Sequence, residues 1–337
     1  MKKSDKQMNL DVVVITKDQG WNVRRLIESV LRETDGRPGT EIILVDSASS
    51  DDTVEVASGY PIRVIRLSKR QRLTAAAGRH AGLSQTNGDV VLFLDGDMEL
   101  RRGWVDAALD LFARRPDIAV ISGEVVDRPI RARCLRAVEP LGEIQRTSFT
   151  EVPHGGGAAA YRRSVLDRVG SFNPYLFSDE EPELCLRIRH AGYRIVRLDR
   201  PIADHYSDPS GAISTLFGRR RRNLYLGPGQ ALRLHLGSGL LVPYARERGF
   251  GLMPVAGLAL GVATLGMSLL FRQPRWAALW LGVVATLFAA DAARKRSMYR
   301  ALFTMVQRLV FAEGTVKGFV GSPADPSRFP CMFEVIK

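Results

Sequence analysis

Two carboxylates separated by a single glycine, Asp95-Gly96-Asp97, stand at the end of the apolar run Val90-Val91-Leu92-Phe93-Leu94. Hard divalent cations take oxygen ligands, and Mg2+ or Mn2+ is typically held by one or two carboxylates together with substrate phosphates. Gly96 leaves out the side chain between the two acids, so the turn can be tight and a ligand can approach the backbone. An Asp-Gly turn that merely closes a core strand has the same sequence. Two more acidic positions have a comparable setting. Asp46 ends a second apolar run, and the pair Glu180-Glu181 stands immediately ahead of Pro182. Between them, His154-Gly155-Gly156-Gly157-Ala158 carries few side chains that could obstruct a ligand, as expected of a loop over a substrate.

The elements that must position these residues follow from the hydrophobic pattern. Continuous β-branched runs at 11–16, 41–45, 62–67 and 90–94 predict strands buried on both faces. Helical spacing over 20–32, from Thr53, and over 74–83 alternates with them. The polar cluster 46–52 can cap the helix that starts near Thr53, which is the plainer reading of Asp46. A βαβαβαβ order with short loops predicts a doubly wound, mostly parallel sheet. In such sheets ligands bind beyond the carboxyl ends of the strands, where Asp46 and Asp95 fall. A helix is expected over 103–114 and a strand over 118–122, while the basic stretch 128–146 has no clear pattern. A further helix is expected to begin at Pro182, whose ring keeps Glu181 outside it, and to stop near Gly192. A short strand over 193–198 then leads to His205.

The chain has 337 residues, with 45% hydrophobic and 25% charged, which suffices for a proper core. Its formal net charge of +12 points to an anionic partner. The three cysteines, Cys134, Cys185 and Cys331, are too scattered for a disulfide framework or a zinc site, so a reducing compartment is expected. Residues 1–10 form a polar tail with no secretory signal. From 211 the composition changes, beginning with Arg219-Arg220-Arg221-Arg222 in a linker, 211–248, that suits a membrane surface. Residues 249–271 carry no charge until Arg272 and are long enough to span a bilayer. A second uncharged stretch, 276–290, predicts a transmembrane hairpin over 249–290; one span with a re-entrant or buried helix is the alternative. Basic flanks at Arg246, Arg248 and Arg294 to Arg296 place the domain of 11–210 on the cytoplasmic side of the cell (inner) membrane. In the basic segment 291–337, residues 301–311 suit an interfacial amphipathic helix. The arginine run either binds anionic lipid or only sets topology. No basic surface interleaved with aromatics appears, so no nucleic-acid partner is expected.

The acidic positions in this order, with the triple glycine before the last, resemble the family-2 glycosyltransferases of the GT-A fold, bacterial type, over residues 10–206. The resemblance implies a GT-A catalytic domain that transfers a sugar from a nucleoside-diphosphate sugar, with inversion, to a lipid-linked or saccharide acceptor. Thr16 and Asp46 then match donor-nucleotide contacts. Asp95 and Asp97 match the Asp-x-Asp motif that binds the diphosphate through Mg2+ or Mn2+, and His205 matches a histidine that completes the metal site. Ala77-Gly78-Arg79-His80-Ala81-Gly82 resembles a segment whose arginine, here Arg79, contacts the nucleotide. Gly156 and Gly157 lie in the stretch that lines donor and acceptor. Glu180 and Glu181 match the acidic pair whose second member is the catalytic base. The sequence departs from the pattern at Ile15-Thr16-Lys17-Asp18, where Pro-Thr-x-Asn is usual, and at Glu181, where the base is usually an aspartate. The Gln-x-x-Arg-Trp signature of processive synthases is absent. A binding protein of the same fold without catalysis, or a nucleotidyltransferase, are the competing expectations.

Overall fold

The computed structural model describes residues 8–130, 148–207 and 213–337. The patternless stretch 128–146 lies mostly outside them. The chain divides into two units: one comprises Met1–Leu176, Glu180–Pro209 and Ala324–Lys337, the other Phe177–Asp179 and Ser210–Pro323.

In the first unit the chain runs β1 (Leu10–Thr16), α1 (Val23–Thr34), β2 (Ile42–Asp46), α2 (Thr53–Ser58), β3 (Arg63–Leu67), α3 (Ala75–Leu83) and β4 (Val90–Asp95). It continues with β5 (Met98–Leu100), α4 (Trp104–Arg114), β6 (Ile118–Arg128), β7 (Phe149–Glu151), β8 (Ala159–Arg162), α5 (Arg163–Val169), α6 (Glu180–His190) and β9 (Arg194–Tyr206). The last strand, β10 (Phe333–Val335), comes from the far end of the chain. The sheet order is β10-β3-β2-β1-β4-β8-β6-β9-β5, with β7 paired to β9. Pairing is parallel through β3-β2-β1-β4 and again between β6 and β9; β8 enters antiparallel between β4 and β6. The sheet is therefore mixed, the parallel half being the one legible as βαβαβαβ.

Alternate residues of each central strand feed two cores, one on each face. Val12 and Val14 of β1 and Leu92 and Leu94 of β4 pack with α1 and α4. Val13 and Ile15 of β1 and Val91 and Phe93 of β4 pack with α3, α5 and α6. Burial on both faces is why these strands are apolar without alternation.

Several elements differ from the sequence expectation, among them β6, which runs on to Arg128 rather than ending near 122. β5, with Glu99 at its centre, is too short to leave a periodic signal. β9 runs thirteen residues rather than stopping near Leu198, so His205 lies on a strand. Its charged residues and Pro201 are accommodated where the register with β6 shifts between Ser122 and Val125. Glu180 and Glu181 lie inside the first turn of α6 rather than ahead of it. Pro182 sits third in that helix, where its missing N–H would have had no intrahelical partner anyway.

In the second unit the helices are α7 (Ile213–Arg221), α8 (Gly227–Leu234), α9 (Leu241–Arg248), α10 (Leu252–Leu270), α11 (Arg275–Lys295) and α12 (Met298–Val320). The linker is thus helical where it is described. α8 and α12 meet at backbone distance: a Cβ on Gly229 would stand 1.9 Å from the Thr315 carbonyl oxygen, and one on Gly318 2.1 Å from that of Leu226. The stretch from Leu241 to Leu270 and α11 are both apolar and long enough to cross a membrane, and only 6% of each apolar window is buried by protein. A soluble core helix would be mostly buried. α12 extends well beyond 301–311 at both ends.

Candidate functional site

In the order β3-β2-β1-β4 the strands following β1 are added first on one side of it and then on the other, and such a switch point is where open α/β sheets form a crevice. Register sets the crevice floor, since Thr16 lies opposite Asp46 and Ile15 opposite Asp95. Three strand ends therefore come level, carrying Thr16, Asp46 and Asp95.

The Asp95-Gly96-Asp97 turn is held from below. The buried Asn22 side chain donates from Nδ2 to the carbonyl oxygens of Gly96 (3.0 Å) and Met98 (2.9 Å). Sequence reasoning missed Asn22; a polar residue between two apolar stretches at a helix start was the signal available. Gly96 is required by space: a Cβ would stand 2.9 Å from the Thr16 methyl carbon and 3.2 Å from the Ile15 carbonyl oxygen. On the other side, a Cβ on Gly157 would stand 2.7 Å from Asp95 Oδ2, so this glycine gives that carboxylate its room.

Arg79, expected as a nucleotide contact, is instead committed to protein carboxylates. It is buried, with Nη2 2.7 Å from Asp95 Oδ1 and Nη1 2.5 Å from Glu180 Oε1. Its guanidinium also lies 5.6 Å from the centre of the Phe172 ring. One cation thus ties the end of β4 to the start of α6. Burial pushes the Asp95 carboxyl up to about 6, against the pull of Arg79.

Glu181 is joined to the triple-glycine loop. Its Oε1 accepts from the Gly155 backbone N–H at 2.6 Å and from the Cys185 thiol at 3.1 Å, and Oε2 lies 3.8 Å from His154 Nδ1. Burial holds the Cys185 thiol well above its ordinary pKa, so it remains a donor to the carboxylate. Gly156 has φ +83° with open space around it, so the loop bends there without crowding the crevice.

Asp46 is fully buried and does not cap α2. Its Oδ2 accepts from the Ser49 N–H at 2.9 Å and from Arg66 Nε at 3.3 Å. Its Oδ1 is buried with no hydrogen-bond partner among the described residues. Thr16 uses its hydroxyl on the Val45 carbonyl oxygen at 3.4 Å. Asp18 locks the loop after β1 to the loop after β2: its N–H donates to Ser49 Oγ at 2.8 Å, and its Oδ1 accepts from the Ser50 N–H at 2.7 Å. That backbone bond holds the Asp18 carboxyl below its ordinary pKa.

Asp97 and His205 meet on the far wall. His205 lies opposite Met98 on β5 and opposite Asp127 on β6. Its Nε2 is 3.3 Å from Asp97 Oδ2 and its Nδ1 is 2.7 Å from Asp127 Oδ1. The hydrogen bond to Asp97, helped by that to Asp127, pushes the imidazole up to about 9. Asp97 Oδ1 is buried and has no partner among the described residues. Within those residues no group of three or more His, Cys, Asp or Glu side chains forms a ready metal shell. Asp95 gives one oxygen to Arg79, so the three expected ligands do not make a closed cage. The orphaned Asp97 oxygen beside His205 fits an open cation site that a substrate's oxygens would complete.

The mixed sheet with a two-acid turn at its switch point is a GT-A-like fold. Residues 11–170 match the sequence model of glycosyl transferase family 2. The chain is 29% identical over 203 residues to a pre-mycofactocin glycosyltransferase of Mycobacterium tuberculosis, covering 56% of this chain and 40% of that protein. It is 25% identical over 167 residues to the O-antigen chain rhamnosyltransferase WbaN of Salmonella anatum, covering 46% and 53%. The chain thus spans about half the length of these curated relatives. Among solved structures, the mannosyltransferase PcManGT from Pyrobaculum calidifontis, in complex with GDP-Man and Mn2+, superposes with a TM-score of 0.59 at 20% identity, covering 92% of this chain and 87% of that one.

Proposed function

We propose that the protein is a membrane-anchored, inverting glycosyltransferase that moves a sugar from a nucleoside-diphosphate sugar to a lipid-linked or saccharide acceptor. The observation that carries this reading is the unpaired, buried oxygen of Asp97 beside His205, an oxygen ligand for a hard cation that accompanies a donor diphosphate. Asp46, with its own unpaired buried oxygen, suits a donor hydroxyl or base N–H. When bound by Asp97 and His205, Mg2+ or Mn2+ would neutralise charge on the departing diphosphate. A solved structural neighbour holds GDP-Man and Mn2+, which supports both the donor class and the cation.

In this reading Glu181 takes the proton from an acceptor hydroxyl. The acceptor oxygen bonds to the anomeric carbon as the bond from that carbon to the diphosphate oxygen breaks, inverting the centre. The Gly155 N–H orients Glu181, and Arg79 holds Asp95 and Glu180 in place without touching substrate. Helices α10 and α11 would form a hairpin in the cell membrane, with the acidic crevice on the cytoplasmic side, as the basic residues at Arg246, Arg248 and Arg294 to Arg296 favour.

The test is release of nucleoside diphosphate from a panel of sugar nucleotides by the detergent-solubilised chain, with membrane lipid extract and with Mn2+ or EDTA. Turnover that EDTA abolishes and that falls about 100-fold or more in Asp97→Asn is expected, the scale on which an active-site electrostatic contact acts. Release of pyrophosphate in place of nucleoside diphosphate would assign nucleotidyl transfer instead. Donor binding with no turnover for any donor and acceptor would assign a binding protein.

A further inference from the structure

The arginine run that opens the second unit folds onto α12 and forms one wall of a cavity of about 200 Å3. Arg220, Arg221, Tyr225, Glu313 and Lys317 line it. Arg220 makes a two-pronged pair with Glu313 (2.7 and 2.6 Å), and Lys317 reaches the same carboxylate at 2.6 Å. Two cations therefore share one carboxylate, which they hold down at about 2. The Tyr225 hydroxyl is buried beside the Arg219 guanidinium, and its own proton has no acceptor among the described residues. A net positive pocket with a spare hydroxyl donor has the chemistry to bind a phosphate.

Packing around the cavity sets its level. The Tyr225 ring lies 5.9 Å from that of Phe311, which lies 4.9 Å from that of Phe250. A Cβ on Gly251, the residue before α10, would stand 2.4 Å from the Phe311 ring and 2.8 Å from Thr315 Oγ1. The cavity therefore sits beside the first turn of the long unburied apolar helix, where a bilayer's headgroups would lie. A glycine allows the close approach: a Cβ on Gly314 would stand 2.4 Å from Tyr225 Cβ, so α12 packs directly on a residue that lines the pocket.

We infer that this cavity seats the phosphomonoester headgroup of a membrane lipid, with Arg220, Arg221 and Lys317 as its charge partners and the Tyr225 hydroxyl as a further donor. Glu313 holds the cations in place when no lipid is bound and gives them up to the phosphate. The inference rests on the reading of α10 and α11 as membrane helices. That reading is tested separately by whether carbonate releases the chain from membranes, whereas headgroup binding is measured in detergent.

The experiment is calorimetric titration of the full chain in a non-ionic detergent with dioctanoyl phosphatidic acid, dioctanoyl phosphatidylcholine and inorganic phosphate. Saturable binding of the phosphatidic acid is expected, weakened about tenfold or more when Arg220→Gln and Lys317→Gln are combined, since each basic side chain near a lipid phosphate adds appreciably. Arg294→Gln, the loss of one positive charge outside the cavity, leaves binding within about twofold if the site is local rather than a bulk charge effect. Glu313→Gln removes the competing carboxylate and tightens binding, a gain that misfolding cannot imitate. Unchanged binding in the double variant, equal weakening by Arg294→Gln, or no gain in Glu313→Gln overturns the inference. Inorganic phosphate or phosphatidylcholine binding as tightly as phosphatidic acid overturns the lipid-monoester assignment.

Discussion

At the scale of the residue, the carboxylates of the candidate site are held in different ways. Glu181 is oriented by a backbone N–H, and a glutamine would accept the same hydrogen bond through its amide oxygen while losing its basicity. Glu181→Gln is therefore expected to keep donor affinity within a few-fold and to lower kcat by about 10²–10⁴, the usual worth of a general base. Turnover equal to wild type would remove Glu181 from the chemistry. Asp95 and Glu180 share the buried Arg79. Arg79→Met would leave two carboxylates facing each other without their cation, a loss of about 3–5 kcal/mol for breaking a buried pair. Thermal unfolding should shift down by roughly 6 °C or more, at 2–4 °C for each kcal/mol in a domain of this size. A shift below about 1 °C, within the scatter expected of a neutral surface change, would show that Arg79 holds nothing together.

At the scale of the element, glycine placement decides how closely helices approach. Gly229 of α8 and Gly218 of α7 are both helical, yet their surroundings are opposite. A Cβ on Gly229 would collide with α12 backbone at 1.9 Å, whereas one on Gly218 meets nothing within 4 Å. Gly229→Ala should destabilise by about 1–3 kcal/mol or more, because backbone cannot yield as a flexible side chain can. Gly218→Ala should stabilise by about 0.5–1 kcal/mol by restricting the unfolded chain and favouring helix. Unfolding of the two variants in detergent checks both signs, and effects of the same sign would contradict the packing argument.

At the scale of the whole molecule, the chain returns to its first unit at its end. Residues 324–337 belong to that unit, with β10 antiparallel to β3. Phe329 is buried there, edge-on to His80 and Tyr175. A cut at residue 210, the boundary that composition suggests, would therefore strip a strand and a core aromatic from the catalytic unit. Ending the chain at residue 323 is expected to lower its unfolding temperature and to promote aggregation through the bared β3 edge. The loss of the Phe329 side chain alone is worth about 3–5 kcal/mol. An unchanged melting curve in detergent would show the tail to be a passive appendage.

The parallel half of the sheet and the positions of Asp46, Asp95 and Asp97 were legible from sequence, because strands buried on both faces are continuously apolar and their ends are marked by the first polar residues. The apolar stretches that become α10 and α11 were legible for the same reason of uniform composition. What depended on contacts between distant segments was not legible. The antiparallel insertion of β8, the length of β9 that carries His205 to Asp97, and the pairing of β10 with β3 are long-range choices without local periodicity. Arg79 looks the same in sequence whether or not it pairs with protein carboxylates, and the two it meets, Asp95 and Glu180, come from β4 and α6, the latter about a hundred residues away in the chain. Residue types and their order determined which chemistry this chain can support. Tertiary structure decided which groups are already paired, and so which buried oxygens, those of Asp46 and Asp97 among them, have no partner among the described residues.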